Sequence, residues 1–103
     1  MGLFEEDDEG DAADPVAVVR SYLALAIQIG APAYNGGDHR GCYEVYACTA
    51  RMVLNVVKGK AADGAKARLR SAVERCATTV DVGEQAWIMR HAFDAVLSGV
   101  EDN

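Results

Sequence analysis

From Pro15 to about Tyr34 the polar side chains are few: Arg20, Ser21 and Gln28, with Asn35 just beyond. Arg20, Ala24, Gln28 and Asn35 fall on one narrow stripe at helical spacing, and nearly every other position is apolar. That pattern predicts a helix covered on most sides, so the first helix is expected to be the central one. Asp14 and Pro15 supply its start, an N-cap carboxylate followed by a residue whose missing N–H costs nothing at the first helical position. Pro32 deletes the bond to the Gln28 carbonyl and should kink the last turn, beside a stripe that water can reach.

Asn35-Gly36-Gly37 tolerates positive φ and ends this helix. Asp38 then caps a second helix, expected to run to about Lys58 with Gly59 as its stop. Arg40, Glu44, Cys48, Arg51, Asn55 and Lys58 form its polar stripe. Cys42, Val45, Tyr46, Thr49, Met52, Val53 and Val56 form the apolar face opposite, at a period of about 3.6 residues. A third helix is expected from near Asp63, with Ala65, Leu69, Ala72, Val73 and Cys76 as its seam and Lys66, Arg68, Arg70, Glu74 and Arg75 toward water. Asp81-Val82-Gly83-Glu84 matches a capping box and opens a fourth helix to about Ser98, with Gly99 at its end. Its core face is Ala86, Met89, Phe93, Val96 and Leu97. The result is an all-α fold of about four antiparallel helices, two helical hairpins forming a bundle, over residues 14–103.

Composition adds to this picture chiefly through charge. The chain has 103 residues, enough for one domain with a core and too few for two. Its net charge is −6, yet residues 1–14 hold seven acids and no base, which leaves nine acids and ten bases elsewhere. The acidity therefore belongs to a tail, residues 1–13, expected to be disordered because it has too little apolar surface to order itself. Three cysteines without C-x-x-C spacing point to a reduced, cytoplasmic setting. The N-terminus begins acidic rather than as a secretory signal, and Glu6 stands where a myristoylation motif needs Ser or Thr. Val16–Ala33 is the most apolar stretch, but Arg20 and Gln28 interrupt it, so no membrane association is expected.

Gly30, Tyr34, Gly37-Asp38-His39, Cys42, Tyr46 and Thr49 stand where a tetratricopeptide-type helical hairpin places small, aromatic and turn residues. Residues 22–50 resemble one such hairpin, departing from it at Pro32 and at Ala26, where a large aromatic is common. The later helices show no second copy, and that architecture needs about three repeats to be stable. The resemblance implies a peptide- or protein-binding scaffold without catalysis.

Four features carry candidate chemistry. Cys42, with His39 three residues earlier in the first turn of a helix, invites a thiolate favoured by the helix dipole and the imidazole. Its plainer reading is a small core residue at a close helix contact. A zinc site would need Cys76 or His91 to join that pair, and the acidic run from Glu5 lacks the bidentate Glu of a calcium loop at its twelfth place, Val16. No cofactor is expected. Arg51–Arg75 holds seven bases and two acids, so Lys66, Arg68, Arg70 and Arg75 suggest a basic face that the acidic tail could mask. With no aromatic in that segment and a pI near 4.7, the pattern argues against nucleic acid, leaving a nucleic-acid accessory role through residues 51–75 as a further alternative.

Trp87 falls on the polar side of the fourth helix with Glu84, His91 and Asp94. A tryptophan there either anchors an interface or covers the end of a neighbouring helix. The expectation for the whole is a non-catalytic interaction module or small scaffold. It would bind a protein or peptide partner or self-associate as a dimer, with a thiol-dependent or redox-responsive protein using Cys42 and His39 as the alternative.

Overall fold

A computed structural model describes residues 14–99, which form four helices and no strand. These are α1 (Pro15–Asn35), α2 (His39–Val56), α3 (Asp63–Ala77) and α4 (Val82–Ser98), with a single 3-10 turn, Lys60–Ala62, before α3. The acidic tail expected at residues 1–13 lies outside the described residues.

Three of the expected caps form. Asp14 accepts from the Ala17 amide at 3.1 Å, Asp38 from Gly41 at 2.9 Å and Asp81 from Glu84 at 2.9 Å. Of the α1–α2 turn residues only Gly37 takes a positive φ, +99°. Gly99 closes α4 in the left-handed conformation at φ +76°. The end of α2 differs from expectation. The helix stops at Val56 and Val57 turns extended, because Val57 is buried in the core and Gly59 (φ +114°) redirects the chain against Pro15. Ala62 precedes α3 without a side-chain cap.

The expectation that α1 is the central helix is overturned. α2 and α4 each pack on all three other helices, α2 the more extensively, whereas α1 meets α2, α4 and the 3-10 turn. The start of α1 lies beside Gly59 after α2, and Arg20 lies beside Leu97, so α1 is antiparallel to both α2 and α4. α2 and α4 therefore run the same way, meeting first near His39 and Gly83 and then at Tyr46 and Phe93, whose rings are 5.1 Å apart. α2 meets this demand by burying Ala47 and Ala50 as well as Cys42, Tyr46 and Val53. Those alanines widen its buried arc beyond the apolar face legible in the sequence. Val56, expected on that face, is exposed.

Candidate functional site

The end of the bundle near the α1–α2 turn collects Tyr34, His39, Trp87 and His91. Tyr34 stacks on His39 with ring centroids 3.9 Å apart, and Trp87 meets Tyr34 edge-on at 5.8 Å. The Trp87 indole N–H donates to the Tyr34 hydroxyl at 3.0 Å, and His91 lies against the other side of the indole at 5.5 Å. Glu84, Trp87, His91 and Asp94 all lie on an exposed stripe of α4, with Trp87 45% exposed. Trp87 thus covers the end of α1 while leaving nearly half its surface to solvent. Asp94 is engaged by Arg90, whose Nε donates at 3.0 Å.

Behind this cluster lies a cleft of about 240 Å³ lined by Tyr34, Cys42, Tyr46, Trp87 and Arg90 among others. Cys42 is buried at its back. Burial pushes the thiol up from the ordinary 9.0; a hydrogen bond with Tyr46 and the Arg90 charge act the other way without cancelling it. Asp38 raises it further. Burial, the largest of these influences, therefore works against the readily ionised thiol that a helix N-terminus and His39 would favour. His39 is occupied by Tyr34. Burial and the bond with Cys42 push the Tyr46 phenol up too, while Asp94 holds the Arg90 guanidinium protonated more firmly than usual. Among the described residues no three His, Cys, Asp or Glu side chains gather closely enough to hold a metal ion. His39, Cys42, Cys76 and His91 accordingly form no such site.

The basic residues expected to share one face separate into two groups. Lys66 turns inward, partly buried, and its Nζ donates to the Val57 carbonyl at 2.8 Å, tying α3 to the end of α2. Arg68 and Arg75 line a cleft of about 350 Å³ between α3 and α4 with Ser71, Ile88 and His91. Arg70 is exposed on neither wall. At helical spacing Arg68 and Arg75 share one side of α3, and Lys66 and Arg70 another.

Among the described residues, four of the seven large apolar side chains left exposed lie in one row that the expected site residues did not include. α1 turns Val19, Leu23, Ala26 and Gly30 into the core. Beside them Val18 and Tyr22, each 38% exposed, continue into Leu25 at 53% and Ile29 at 54%. The two rows point about 100° apart around the helix axis, so α1 is apolar on two faces. Its polar residues Ser21 and Gln28 edge the outer row. The Arg20 guanidinium donates to the Leu97 carbonyl at 2.7 Å, satisfying an open carbonyl in the last turn of α4. By length and composition α1 is long and apolar enough to cross a membrane. Here its inner row and Arg20 hold it in the bundle. The signal for the outer row was present in the spacing 18, 22, 25, 29, which repeats steps of four and three.

Comparison with protein-family models, with curated proteins and with solved structures finds no match to any of them.

Proposed function

We propose that this chain is a non-catalytic helical interaction module that docks a protein partner along the outer face of α1. The observation that carries the reading is the unbroken row Val18, Tyr22, Leu25 and Ile29, exposed along three turns of one helix. Exposed apolar residues scattered singly are ordinary, whereas a contiguous row of four marks a contact surface. The stripe around Trp87 fits less well, since the indole N–H already has its partner in Tyr34. The likeness of residues 22–50 to a tetratricopeptide hairpin points to the same class of function. Three unpaired cysteines, two of them buried, accord with a reducing cytoplasmic setting.

The test places a photo-crosslinking amino acid at Leu25 and, as control, at exposed Glu74 on α3, in cells expressing the full chain. Discrete adducts from position 25 with none from position 74 are expected. Equal labelling from both positions, or none from either, would refute docking on α1.

A further inference from the structure

We propose that the partner on α1 is a second copy of this chain, docked antiparallel about a twofold axis that passes near Leu23 and Ala24. The inference rests on the docking role given to α1 above and specifies its occupant. Exposed residues at 18, 22, 25 and 29 follow the a and d places of a heptad. In an antiparallel pair each a residue faces a d residue of the other helix. With the axis between residues 23 and 24, Val18 faces the partner's Ile29 and Tyr22 faces the partner's Leu25, and the same contacts recur by symmetry. Each layer joins a smaller to a larger side chain, so one row complements itself under a single rotation, as an isologous interface requires.

Charge selects the same arrangement. The row contains no ionisable side chain except the Tyr22 phenol, and along its edge Ser21 and Gln28 are uncharged, with the capping carboxylate of Asp14 at the helix start. A strongly charged partner would find nothing there to pair with, and an uncharged copy meets no repulsion. The chain's own tail is a poor occupant, because its carboxylates would lose water against an apolar surface. Residues 1–14 carry seven acids immediately before α1. A parallel pair would join both runs to the dimer at the same end. An antiparallel pair sets the two joining points about 30 Å apart, beyond the screening length of about 8 Å at physiological salt.

Four layers over three turns place the contact at the small end of specific interfaces, so association is expected in the micromolar range. Sedimentation equilibrium of the full chain should therefore show the mass rising from 11.0 kDa toward twice that value across this range. Leu25→Glu should remain at 11.0 kDa throughout with an unchanged far-UV circular dichroism spectrum. A second arm does not depend on how that charge is tolerated. On a Cys48→Ser background, a mixture of the Val18→Cys and Ile29→Cys chains should form a disulfide-linked dimer under mild oxidation, and Val18→Cys alone should not.

Cross-linking of Val18→Cys to itself, with none in the mixture, would overturn the antiparallel arrangement. A monomer at every concentration with no mixed disulfide would overturn the dimer. If position 25 still labelled another protein, docking on α1 would survive and only the copy would be wrong. A monomer that sediments with phosphatidylcholine vesicles would overturn the dimer in favour of a lipid surface.

Discussion

Gly30 fixes how closely α1 and α2 approach. A Cβ at this position would stand 2.5 Å from Tyr46 Cε1, and Tyr46 is enclosed between this glycine and Phe93. The ring is a buried wall rather than a flexible end, so it cannot step aside. Alanine would gain about 1 kcal/mol in helix propensity, but overpacking of a filled core costs roughly 1–3 kcal/mol. Gly30→Ala should therefore lower stability in urea denaturation, whereas Gly64→Ala in α3, with nothing within 4 Å of its Cβ, should raise it by about 0.5–1 kcal/mol. Movement of both in one direction would refute the packing account of Gly30. The thiols divide in the same way by burial. Cys48 is exposed and should react with a disulfide reagent in the native state, while Cys42 and Cys76 should react only after unfolding. Burial raises both enclosed thiols above 9.0. Below 9.0 they are protonated whether the chain is folded or not, and their contribution to stability is complete. As pH rises past that value the unfolded thiols ionise first, so the urea midpoint should fall between about pH 8 and pH 10. A Cys42→Ala, Cys76→Ala chain should lose less over this interval. An equal fall in both proteins would assign the effect elsewhere.

The helices themselves were legible because each carries its own signals. Asp14-Pro15, Asp38, Asp81 and Gly99 mark boundaries through local hydrogen bonds and backbone sterics, which depend on few residues outside the turn. The polar stripe of α2 from Arg40 to Asn55 is exposed throughout, as its period requires. What the pattern could not supply was which apolar face meets which neighbour. An all-round apolar α1 reads as central only if its own chain provides every cover. Ala47 and Ala50 gave little hydrophobic signal, yet they let α2 occupy the centre. The two rows of α1 lead to a direct contrast. Leu23→Ala empties a fully buried position and should cost about 2–5 kcal/mol in urea denaturation. Leu25→Glu changes a half-exposed position and should leave monomer stability within about 0.5 kcal/mol. Similar losses at both would mean that the outer row is packed within the chain.

At the scale of the molecule, α2 organises the fold and α1 carries its surplus apolar surface. Much of the chemistry suggested by the sequence is taken up in building the domain. Cys42 lies in the core, Lys66 holds the end of α2, and Trp87 closes the end of α1. Those roles were hidden because cysteine, lysine and tryptophan have the same identity at a site and in a scaffold, and only neighbours distinguish the two. The exposed row of α1 was hidden for the opposite reason, since Leu25 and Ile29 look like core residues until the core is seen to be complete without them. On the proposed reading, this outer row is open in the monomer and covered in the associated protein. Hydroxyl-radical footprinting of the purified chain at submicromolar and high micromolar concentrations tests it most directly. Oxidation of Tyr22 and Leu25 should be strong in the dilute protein and drop several-fold in the concentrated one, while Trp87 changes little. Protection of Leu25 equal to that of Leu23 even when dilute, or no protection at any concentration, would contradict the account.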